Sequence, residues 1–125
     1  MTFEQYIHST LKSMLGDLFE DRVYSSNLPD NFNFHKPTLV VQYKLNEQLK
    51  TLDGIENMQD YECQLVIITS DSEELALIAV DVVDRLEDYE DAHILDITLV
   101  DDLNTADIDE GYYLKSLNYS LVYVK

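Results

Sequence analysis

Apolar and polar positions alternate from Tyr61 to Ile68, and the period then changes within two residues. Tyr61, Cys63, Leu65 and Ile67 share one face; Glu62, Gln64, Val66 and Ile68 share the other, which turns apolar only in its second half. That pattern predicts a strand entering a core. Ser70 and Glu73 have the spacing of a capping box, and Leu75, Ile78, Ala79, Val82 and Leu86 then recur at intervals of three and four, which predicts a helix with one buried stripe. Burying its four large aliphatics contributes roughly 6–12 kcal/mol before chain entropy is subtracted.

A helical period also runs through Phe3, Tyr6, Ile7, Leu11, Met14 and Leu15, with Thr2 and Gln5 as a capping pair and Gly16 as the stop. Arg22–Tyr24 reads as a short strand or extended link. Residues 25–37 read as loop, with two prolines and no period. Leu28, Phe32 and Phe34 sit on that loop, to cover a core edge or to contact another subunit. Thr38–Leu45 is a strand pattern, and Asp53-Gly54 is a hairpin turn signal. Pairing run continuously from that turn sets Val41 opposite Val66 and Lys50 opposite Asn57. The intervening residues, about 46–60, read alternatively as an arm or hairpin loop.

His93–Val100 is a strand in which Leu95, Ile97 and Leu99 alternate with Asp96 and Thr98, followed by an acidic loop from Asp101 to Gly111. Tyr113–Val124 is the closing strand, with Leu117, Tyr119, Leu121 and Tyr123 on one face, antiparallel to its predecessor. A helix between two strands is the crossover that parallel pairing needs. The expected fold is a single α+β domain over residues 1–125. Its sheet is mixed but largely antiparallel, with four or five strands and two helices in the order helix-strand-strand-helix-strand-strand. Several strands are apolar on both faces, so two helices on one side would leave a partner surface on the other. One helix on each face would instead close the monomer.

Composition narrows the function. The chain has 8 Lys+Arg against 25 Asp+Glu, a net charge of −17, which disfavours unassisted binding to nucleic acid or anionic lipid. It fits a basic partner, a solvated surface, or a surface that repels nucleic acid. No apolar run approaches the roughly 20 residues of a membrane helix. Residues 1–12 read as an amphipathic helix rather than a signal peptide, so the product is expected to be cytoplasmic when made. The lone cysteine, Cys63, excludes an internal disulfide and reads as a small buried hydrophobe.

No catalytic constellation stands out, and neither an enzyme nor a cofactor is expected. His8, His35 and His93 lack metal-pair spacing. Asp101, Asp102, Asp107, Asp109 and Glu110 gather in one run but fail the EF-hand pattern, because Ala106 and Asp107 stand where a ligand and the glycine belong when counted from Asp102. The run reads as a solvated loop.

The first helix, the segment VYSSNLPDNFNFHKPTLVVQY, the block DYECQLVIITSDSEELALIAVDVVDRLE and the closing DEGYYLKSLNYSLVYV together resemble the tail terminator, or tail completion, proteins of long-tailed bacteriophages. The resemblance implies a structural virion protein, made in the host cytoplasm. Such a protein assembles as a homohexameric ring on the tail tube protein, ends tube polymerisation and offers the surface for a head-completion or neck protein. DNA would pass through without specific binding, no membrane is involved, and no catalytic or metal residues carry over. Candidate subunit or tube contacts are Leu28, Phe32, Phe34, Leu52, Ile55 and Met58; candidate acidic lumen residues are Asp101, Asp102, Asp107 and Asp109. The competing class is an acidic nucleic-acid mimic that inhibits a basic DNA-binding enzyme, which calls for carboxylates spaced along one face.

Overall fold

The structure, a computed structural model, describes residues 2–25, 36–49, 58–107 and 111–124, with backbone alone at 45–49, 58 and 104–107. Helix α1 (Phe3–Leu15) is followed by a 3-10 turn (Gly16–Phe19), β1 (Val23–Ser25), β2 (Thr38–Leu49), β3 (Met58–Thr69), helix α2 (Ser72–Leu86), β4 (Ile94–Asp107) and β5 (Tyr112–Val124). The expected class holds, while the order gains the short β1 and the 3-10 turn.

The five strands lie in the order β1-β2-β3-β5-β4. β5 pairs antiparallel with both β3 and β4, so the two strands joined through α2 run parallel but are not neighbours. The parallel pair is instead β1 with β2, Val23 opposite Leu39. Inserting the last strand between β3 and β4 gives β5 two neighbours, and Leu117 and Leu121 in it are fully buried.

α1 begins with the expected capping box: Gln5 N–H donates to Thr2 Oγ1, and Thr2 N–H to Gln5 Oε1. Gly16 follows the helix, but with φ −57° it uses none of glycine's conformational freedom. The reversal is made by Glu20 and Asp21, at φ 51° and 62°, after the 3-10 turn has buried Phe19. At α2 the cap is Asp71 rather than Ser70. The Asp71 carboxylate accepts from Glu73 N–H at 2.9 Å, and Thr69 Oγ1 donates to the Asp71 carbonyl at 2.8 Å. Starting at Ser72 places Glu73 one position too early to close a box.

Most of the large buried residues share one side of the sheet; Val40 and Ile68 are buried on the other. Leu39 and Val41 of β2, the odd-numbered Tyr61–Ile67 of β3, Leu117–Tyr123 of β5 and Ile94 and Ile97 of β4 meet the buried stripes of both helices in one cluster. α1 and α2 therefore lie on the same face, tied also by Arg85, which donates to the Met14 carbonyl at 2.9 Å and to Asp17 at 2.6 Å. The other face carries no described helix.

The β2–β3 register differs from the expected one by a single step over half its length. Glu47 pairs with Asp60, Gln48 with Gln59 and Leu49 with Met58, as continuous pairing from Asp53-Gly54 requires. Asn46 is then an extra residue, and beyond it Val41 meets Leu65 rather than Val66. The bulge is what lets Leu39 and Val41 share a face with Leu65 and Ile67; without it one strand would turn its apolar set outward.

β4 is also longer than expected, since Asp101–Asp107 continue the strand instead of forming a loop. Two bulges, at Ile94/Asp96 and Leu99/Asp101, break its alternation. Ile97 faces the core, but Leu95 falls at the first bulge and is exposed, as is Leu99.

One buried group is left unsatisfied. Tyr119 is buried, and its hydroxyl has no hydrogen-bond partner among the described residues. Burial first, and then the nearby Cys63, pushes this phenol up to about 12. Tyr119→Phe is expected to leave stability unchanged or raise it by about 1 kcal/mol, read as a higher urea midpoint, because only the desolvation cost of the hydroxyl is removed.

Candidate functional site

The helix-free face of the sheet presents ordered rows across four strands. Gln42, Gln64, Asn118 and Asp101 stand in one row; Lys44, Glu62, Ser120 and Thr98 form the next; Asp60, Val122 and Asp96 continue it. Toward the other end the row is Val40, Val66, Ser116 and Leu103. Gln64 Nε2 donates to Ser116 Oγ and Ser120 Oγ donates to Asp60, both at 3.4 Å. The two polar rows line a shallow concavity of about 600 Å³ that Val100 and Asp101 close on one side. The surface mixes amides, hydroxyls and carboxylates with the one described cation Lys44, and apolar residues stand at one end.

β4 is the outermost strand, and no described strand pairs with its far edge. Such an edge offers a row of free N–H and C=O groups to another chain. Its large side chains Leu95, Leu99, Val100 and Leu103 are exposed, and Asp96, Asp101 and Asp102 stand between them. At the opposite side of the sheet, β1 covers only Leu39–Val41 of β2.

The sequence-derived candidates fall in different places. Leu28, Phe32, Phe34, Leu52, Ile55 and Asp109 lie outside the described residues. Met58 opens β3 opposite Leu49 and Val124. Asp101 is in register with Asn118 on the helix-free face, whereas Asp102 is in register with Leu117 on the helix face and meets Lys115 Nζ at 3.5 Å. Asp107 ends β4 opposite Tyr112. Leu77, Val80, Leu95 and Val100 were not singled out by the sequence reading. The first two were legible as large aliphatics off the buried stripe of α2, while the other two depend on the bulges.

Two polar clusters have structural explanations. Ser25 Oγ lies 2.8 Å from His8 Nδ1 and 3.1 Å from Tyr43 Oη, which links β1 to α1 and β2. No described carboxylate orients that imidazole, and the hydroxyl is exposed at the end of a three-residue strand. Asp91 accepts from Tyr6 Oη at 2.6 Å, Tyr89 Oη at 2.7 Å, His93 N–H at 2.8 Å and Ile94 N–H at 2.7 Å. Partial burial opposes ionisation, but those four donors outweigh it and hold the carboxyl down at about 2. The phenols of Tyr6 and Tyr89 are pushed up to about 12, first by burial and then by Asp91. Cys63 is likewise raised to about 12 by burial, which makes it an inert thiol. No group of His, Cys, Asp and Glu among the described residues is arranged to hold a metal ion.

The same fold occurs in a virion. Over 96% of its length the chain superposes on 91% of a chain from the virion of a native gene transfer agent particle, with a TM-score of 0.66 and 12% sequence identity. At that identity the likeness is one of fold. No family model matches the sequence, and no curated protein matches it. No helix among the described residues is long and apolar enough to cross a membrane.

Proposed function

We propose that this chain is a structural protein of a phage-like particle that closes the end of a tail tube as a ring of identical copies. In that role it ends tube polymerisation and presents the surface to which the head is joined. The observation that carries the reading is the agreement of fold, over nearly the full length of both chains, with a virion chain, together with the sequence resemblance to tail terminators. The one-sided helix layer and the outer strand β4 support it, because a small ring-forming subunit needs contact surface more than it needs an active site. A ring requires two unlike patches per subunit, and the β4 edge and the β2 side of the sheet are unlike.

The charge has a use in this role: a lumen lined with carboxylates repels the DNA that passes through it. Asp101 and Asp102 point to opposite sides of the sheet, so one ring orientation brings only one of them to the lumen. Among the described residues the helix-free face offers Asp101 together with Asp60, Glu62 and Asp96 against the cation Lys44. The nucleic-acid-mimic reading finds less support, since the described carboxylates are spread over α1, the 3-10 turn, α2 and both sheet faces.

Purified tail tubes of the cognate particle, assembled with and without this protein, test the proposal. Tubes capped by a ring at one end and of uniform length are expected, seen by negative-stain microscopy; tubes of unregulated length carrying no ring would reject it. Replacing Leu52, Ile55 and Met58 together by Ser is expected to leave the far-ultraviolet spectrum unchanged and to lengthen the tubes by severalfold. Unchanged tube length would remove residues 50–58 from the contact.

A further inference from the structure

On the helix side, α2 and the outer strands leave a groove of about 340 Å³, walled by Ala76, Val80 and Val83 of α2, Leu99 and Asp102 of β4 and Lys115 of β5. Its apolar members are open to solvent: Val80 is 58% exposed and Leu99 37%, and Leu77, three residues before Val80, is 71% exposed. These side chains lie off the stripe that the core uses, so the packing of the described residues gives no reason for them.

Apart from Lys115, the described charged residues lining the groove are acidic. Helical spacing places Glu73 and Asp84 seven and four residues from Val80, on the same flank. The two nearby cations are already held, Lys115 by Asp102 at 3.5 Å and Arg85, on the far flank, by Asp17 at 2.6 Å. A second copy of a chain with net charge −17 would bring acid against acid here. We propose that the α2–β4 groove is a docking site for a segment of a different protein, one that carries one or two large apolar side chains flanked by Lys or Arg. The inference stands on the groove alone and holds whether or not the chain caps a tail.

The test uses the intact chain and two labelled helical peptides of equal length, one of Leu with flanking Lys and one of Leu with flanking Glu. The Lys peptide is expected to bind and the Glu peptide to bind at least about tenfold more weakly, with amide shifts on the protein confined to 76–84, 99–102 and 115. Val80→Ser with Leu99→Ser leaves every charge in place and is expected to weaken the Lys peptide about tenfold; Leu77→Ser alone gives a smaller loss and serves if the double variant melts early. Four results would overturn the proposal. These are binding unchanged in both variants, equal binding of the two peptides, shifts scattered over the whole acidic surface, or a wild-type dimer in sedimentation that the double variant abolishes.

Discussion

Phe3→Ala is expected to lower the unfolding free energy by about 3–5 kcal/mol, the largest loss from any single truncation in α1. Phe3 is buried at the first turn of the helix, stacked on Tyr61 with centroids 3.6 Å apart and set edge-on to Tyr43 and Tyr123 at 5.6 and 5.0 Å. It touches β2, β3 and β5 at once, so its removal opens a cavity against three strands rather than one. Phe3→Leu fills most of that space and should cost about 1–1.5 kcal/mol, the difference reporting the ring contacts. Urea unfolding followed by circular dichroism measures both. A loss below about 1 kcal/mol for Phe3→Ala would mean that the amino end of α1 contributes little to the folded state.

Asp91→Ala is expected to cost about 2–4 kcal/mol, since one carboxylate serves two phenols and two backbone amides. It ties α1, through Tyr6, to the entry of β4, through His93 and Ile94. The pH dependence has a definite sign. The folded carboxyl lies at about 2, below its ordinary value of 3.8, so the stabilisation is fully present above about pH 4 and is lost as pH falls toward 2. Because the group is only partly buried, solvent screening reduces the ionisation share to about 1 kcal/mol. On the alkaline side, folded phenols at about 12 keep Tyr6 and Tyr89 neutral, so their share persists below pH 10 and fades as pH rises through 12. Wild type and Asp91→Ala should therefore differ by a constant amount between pH 5 and 9, and the difference should narrow by about 1 kcal/mol in acid. Parallel curves down to pH 2 would show that the carboxylate charge is immaterial.

Both helices, their buried faces and the inward sets of β3 and β5 were legible in the sequence, because in each the period of apolar residues matches the geometry of the element. The misses have two physical sources. Bulges at Asn46, near Leu95 and near Val100 are backbone events: they move a face by one residue without changing composition, so strict alternation misplaced Val41 against Val66 and set Leu95 on the inward face, while Leu99 keeps the helix side and is exposed there. Second, Asp101–Asp107 read as loop because they are polar, yet an outermost strand has only one neighbour and tolerates acids on both sides. Of the candidate surfaces, the exposed side of α2 could be read as what remained outside the core stripe. The concave face could not, since its rows exist only once β5 stands between β3 and β4.

That insertion also bears on the timing of folding. During synthesis β3, α2 and β4 leave the ribosome before residues 112–124, yet neither β3 nor β4 has its inner neighbour until those residues arrive. Sheet closure is thus a late, long-range event, and until it happens one edge of β3 and both edges of β4 are open to contact with other nascent chains.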